Sequence, residues 1–106
     1  MSVAKITINS VCNTSDNAVT LSNSSGKNQI QWNAAGQNTY TVAVPGGVFQ
    51  GYPNAGSITV GPTGWTPDPP LTLVTNPTPQ TISNYISQNG NGCDDLGGAP
   101  QIVIES

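Results

Sequence analysis

The densest group of potentially reactive side chains lies near the C-terminus, in "NGNGCDDLGG", Asn89 to Gly98. Cys93 is followed directly by Asp94 and Asp95, with Asn89 and Asn91 just upstream. A thiolate beside two carboxylates is a donor set for a metal ion, and the oxygens alone suit Ca²⁺. The spacing matches neither the EF-hand loop nor another strong calcium pattern. Asn-Gly and Asp are also ordinary turn chemistry, because they tolerate positive φ and hydrogen-bond to nearby backbone. The second cysteine is Cys12, in "SVCNTSDN". Two cysteines leave a disulfide or two separate thiols as the alternatives, and no CxxC redox motif is present.

Other catalytic chemistry finds no support. The chain has no histidine, so no serine, threonine or cysteine has an imidazole base. Lys5 and Lys27 lie outside any recognisable catalytic motif, and Asp16, Asp68 and Glu105 are scattered. No two of these carboxylates can be placed as an acid–base pair. Phosphate-binding and dinucleotide fingerprints are absent. The expectation is a protein that is not an enzyme and uses no cofactor.

Binding chemistry is better represented. Phe49 and Tyr52 occur in "PGGVFQGYPNAG", and Trp65 in "GPTGWTPDPP", both rich in Gly and Pro. Exposed together, Trp65, Tyr52 and Phe49 would form an aromatic patch for stacking on sugar rings or docking a protein. The competing reading folds Trp65 back as a cap on one end of the domain. Trp32 alternates with Ile30 and is expected in the core. Asn13-Thr14-Ser15 and Asn23-Ser24-Ser25 match the glycosylation triplet, a match expected by chance in so Asn- and Ser-rich a chain.

Composition narrows the partners. Charged residues are 7% of the chain against roughly a quarter in an average domain, and both cations are lysines. A surface that tracks phosphates needs several positive contacts, so nucleic acid is excluded as a partner. No apolar run is long enough to span a bilayer, and the N-terminus lacks the basic and apolar regions of a signal peptide. An unknown protein or glycan partner is left.

These residues must be positioned by strands. Apolar residues alternate in "KITIN", "AVTLS", "QIQWN", "YTVAVP", "SITVG", "LTLVT" and "QIVIE", with "SNYISQ" a weaker candidate. About eight short strands separated by Gly, Pro and Asn predict a sandwich or small barrel. No helical period competes with this pattern, and at 106 residues the chain is expected to be one domain.

The order of these features resembles the cupredoxins, the blue-copper family. "KNQIQWNAAGQNTYTVAV" is similar to the family's central segment, a strand ending in an aromatic residue and Asn, then a Gly-containing turn. "GGVFQGYPNAGSITVGP" would lead into its strand with a Gly-rich turn. "ISNYISQNGNGCDDLGGAPQIVIES" resembles its C-terminal signature of a Tyr-bearing strand, a Cys-containing ligand loop and a closing strand. The departures matter more. A type 1 copper site takes two imidazoles, a thiolate and a weak thioether. Here Thr39 stands near the first histidine position, no histidine follows Cys93, and Leu96-Gly97-Gly98 replaces the Met. The site cannot be built from one such chain.

The resemblance implies an all-β, single-domain antiparallel or mixed β-sandwich over residues 1–106, with about seven to eight strands in a cupredoxin-like Greek key. It also implies that Cys12, after the first strand, lies at the same pole as Cys93, where a bridge would close a loop of about 80 residues. Such a bridge would argue for a secreted, periplasmic or cell-surface location. The function expected is a non-catalytic exported domain without copper, structural or binding in role. The alternatives are a lectin-like module using the loop aromatics and a metal-binding protein using Cys93, Asp94 and Asp95.

Overall fold

Alternation sends every second side chain to the same face, and strands form where one such face can be buried. A computed structural model describes residues 2–24, 26–94, 97 and 99–105. Among them there is no helix, and the chain is all-β with mixed sheets. The strands are β1 (Ser2–Ser10), β2 (Asn13–Thr14), β3 (Ala18–Ser22), β4 (Lys27–Ala34), β5 (Tyr40–Val44) and β6 (Gly56–Val60). They continue with β7 (Thr66–Thr72), β8 (Gln80–Ser83), β9 (Ile86–Gln88), β10 (Asn91–Gly92) and β11 (Gln101–Glu105). Eleven strands among the described residues replace the seven or eight expected. The additions are two-residue pairings at β2 and β10 and the short β8, which carries one apolar residue, Ile82.

Three sheets result, ordered β2-β1-β4-β7, β10-β9-β5-β6 and β3-β11-β8. The first strand pairs parallel with β4, Ile6 beside Trp32, and the last pairs parallel with β3, Ile102 beside Val19. Ala4, Ile6 and Ile8 of β1 face inward with Ile30, Trp32 and Ala34 of β4. They join Tyr40, Val42 and Val44 of β5 and Ile102 and Ile104 of β11 in one core cluster. Trp32 is buried as its alternation predicts, and its Nε1–H donates to the Tyr85 hydroxyl at 3.2 Å. That bond satisfies a polar group that would be costly to bury alone.

β7 departs from its neighbours, and its sequence explains why. Trp32 pairs with Thr66 and Ile30 with Leu71, so Gln31 alone faces the four residues Pro67, Asp68, Pro69 and Pro70. Three prolines offer no N–H to a ladder, and an edge strand is where such a segment is tolerated. The four residues bulge from the sheet, and Gln31 Nε2 crosses the gap to the Pro67 carbonyl at 2.9 Å. The Thr66–Pro67 and Asp68–Pro69 peptide bonds are both cis.

The C-terminal loop is a stapled hairpin. Asn89 and Gly90, at φ 53° and 81°, form the turn between β9 and β10. Positive φ at both central residues is what a two-residue hairpin demands of Asn-Gly. Immediately after β10, Cys93 is bonded to Cys12, with their Cα atoms 5.0 Å apart.

Candidate functional site

The bulge of β7 forms one wall of an open groove of about 440 Å³, within the size range of small-molecule sites. The other wall is the segment Gln50 to Tyr52. That segment is fastened by both backbone and burial. Val48 and Phe49 enter the core, Gln50 N–H donates to the Thr72 carbonyl at 2.8 Å, and Val74 N–H donates to the Val48 carbonyl at 2.9 Å. Gly47 N–H donates to the Tyr52 carbonyl and Tyr52 N–H to the Phe49 carbonyl, closing a tight turn. At the loop's base, a side chain on Gly46 would meet the Ala55 amide nitrogen at 2.9 Å, so only glycine lets the two strands of backbone approach.

Tyr52 is the aromatic face of the groove. It is half-buried and packs against the core, and its ring lies over Gly56. A Cβ on Gly56 would sit 3.1 Å from Tyr52 Cε2 and 3.2 Å from Cδ2. The ring's packing against the core and beside Gly56 limits the ordering that binding requires of it.

The polar groups of the lining include both acceptors and donors, the latter in the Tyr52 hydroxyl and the Gln50 amide. Asp68 is exposed and lines the same groove. Gln50 Nε2 is already committed to the Leu73 carbonyl at 3.2 Å. Thr72 Oγ1 accepts from Gln29 Nε2 at 2.9 Å and donates to the Pro70 carbonyl at 3.4 Å. Neither lysine lines the groove. A ligand that suits this lining brings an apolar face and polar groups, with donors for Asp68 among them.

The aromatic residues named from sequence thus separate. Tyr52 lines the groove. Phe49 does not belong to a surface patch: it is 2% exposed, and its backbone bridges to Leu73, which draws the ring inward. Trp65 is half-buried beside the outer face of β1, where the Lys5 ammonium lies 5.1 Å from its ring centroid. This cation–π contact competes with a stacked ligand for that ring. Asp68, Gln50 and the prolines were missed as site residues. The signal was "TPDPP", a carboxylate in a run that can neither pair nor coil.

The metal alternative loses its sulfur. Cys93 is spent in the disulfide, so it supplies no thiolate, and Asp94 is exposed. Asp95 lies outside the described residues. Among the described residues, no three His, Cys, Asp or Glu side chains gather as a metal site. Of the glycosylation triplets, Asn13 is exposed, whereas Asn23 Nδ2 is bonded to the Val74 carbonyl at 2.9 Å.

No family model matches the chain, nor does any curated protein or solved structure.

Proposed function

We propose that the chain is an exported, non-catalytic binding domain that takes a glycan in the groove between Tyr52 and the bulge of β7. The observation that carries this reading is the Tyr52 ring, which lies close to Gly56 and lines one groove together with Asp68 and Pro67, Pro69 and Pro70. A sugar presents an apolar ring face to an aromatic and hydroxyl donors to surrounding acceptors. The Cys12–Cys93 bridge is compatible with an oxidising, extracellular setting and supports export. The scaffold is read as cupredoxin-like without type 1 copper, because the sequence supplies no imidazole and Cys93 is already bonded.

The test is an amide chemical-shift titration against oligosaccharides of hexoses, N-acetylhexosamines, hexosamines and uronic acids. Shifts should cluster at the amides of residues 50–52, Asp68, Leu71 and Thr72 for at least one class. Tyr52→Ala should weaken that binding at least tenfold while the variant stays folded, as its amide spectrum away from the groove will report. Titrations that move none of those amides would end the glycan reading.

A further inference from the structure

We infer that the groove selects sugars bearing a free amine over their N-acetylated and acidic counterparts. This deepens the glycan reading and rests on it. The groove contains a carboxylate and no cation. Asp68 projects from the bulge, and its placement follows from the three prolines that push residues 67–70 out of the ladder. Flanked by Pro67 and Pro69, it sits on backbone whose φ angles at both neighbours are fixed by their rings. The charge is therefore presented from a stiff support that lines the same groove as Tyr52.

The protein's two lysines are placed elsewhere. Lys5 is held over Trp65 on the outer face of β1, and Lys27 is exposed at the start of β4. Neither can neutralise Asp68 from within the groove, and the formal net charge of −3 adds a weak field of the same sign. An ammonium has three donors and a positive charge, so it suits a groove lined by a carboxylate and an aromatic ring. An acetamide donates one hydrogen bond and brings no charge. A uronic acid places a second carboxylate beside the first, with no cation to separate them. The order of preference is hexosamine, then N-acetylhexosamine, with the uronate last.

The experiment compares β-1,4-linked tetramers of glucosamine and N-acetylglucosamine with a galacturonate tetramer. Binding is read by calorimetry at a pH where the amine is protonated, and amide shifts locate each site. Because Asp68 is exposed, the amine should strengthen binding by only about three- to fivefold, the scale of a surface ion pair. Raising NaCl from 0.05 to 0.5 M should shrink that gap, since exposed charges are screened. Asp68→Asn should abolish it while leaving the N-acetyl tetramer's affinity within twofold. The salt series on the native chain decides the matter even if the variant folds poorly. Equal affinity for the amino and N-acetyl tetramers, a gap indifferent to salt, or a uronate that binds as tightly would overturn the selectivity but leave glycan binding intact. If none of the three moves the amides of residues 50–52, Asp68, Leu71 or Thr72, both the selectivity and the glycan reading fall.

Discussion

Replacing both bridged cysteines, as Cys12→Ser with Cys93→Ser, should cost this protein a large part of its stability. The bridge joins positions separated by 81 residues. In the chain-entropy treatment, freeing a loop of that length returns to the unfolded chain an entropy equivalent to about 4.5 kcal/mol at 25 °C. Small domains are stable by roughly 5 to 15 kcal/mol, so the variant would stand near the edge of folding. Local structure offers little compensation. β10 is a two-residue strand paired only with β9, and Cys93 follows it directly. The assay is urea unfolding of the native and doubly substituted proteins. With a slope of roughly 1.5 kcal/mol per molar urea, the midpoint should fall by about 3 M. The slope itself should rise, because an unfolded chain without the cross-link exposes more surface. A midpoint that falls by less than 0.5 M would refute the reasoning. A large fall at constant slope would place the effect in the native state instead of the unfolded one.

Two further outcomes follow from the same structure. Burial pushes the Tyr85 hydroxyl up to about 12 from 10, against the lowering effect of its bond from Trp32, with a small additional push from Asp16. The unfolded chain therefore releases this proton first, and the contribution of roughly 2 to 3 kcal/mol, fully present below pH 10, is lost as pH rises from 10 through 12. Urea midpoints at pH 9 and 11.5 should drop less in Tyr85→Phe than in the native chain, and that variant should cost about 1 to 3 kcal/mol at neutral pH by stranding the Trp32 N–H. An unchanged alkaline drop would contradict the assignment. Gly56→Ala has no positive-φ penalty to confuse it, yet its methyl would press on the Tyr52 ring. It should weaken glycan binding severalfold with less than about 1 kcal/mol lost in stability, and undiminished affinity would show that the ring's position is immaterial.

The strands that alternate cleanly were legible because one buried face leaves a period of two. "KITIN", "AVTLS" and "QIVIE" all lie within observed strands, and their alternating residues Ile6 and Ile8, Val19 and Leu21, and Ile102 and Ile104 are buried, whereas Ala18 and Val103 on the opposite faces are not. β8 was hidden because Ile82 alone cannot make a pattern, and it is a strand through its pairing with β11. The N-terminal part of β7 read as loop because local chemistry forbids a ladder there, and the structure complies by bulging. Phe49 shows the same limit from the other side. Its Gly- and Pro-rich neighbours signal a surface loop, whereas its burial depends on pairing with Leu73, twenty-four positions further along the sequence. The groove is partly legible, since Tyr52 stands out as a loop aromatic whereas Asp68 reads as one of several scattered carboxylates. What brings them together is the clamp of residues 48–50 on 72–74, which no local pattern records.

The bridge also changes what a protease can accomplish. Residues 12 to 93 form a covalent ring that contains β2 through β10, including both walls of the groove. A single cut in the loops around Tyr52 or Trp65 opens the ring without releasing a fragment. The segments outside it are held by their partners, β1 along β4 and β11 between β3 and β8. Where peptidases are present, the domain would keep its mass and its neighbours after a first nick inside the ring, and only a second inside the ring would release a fragment of it.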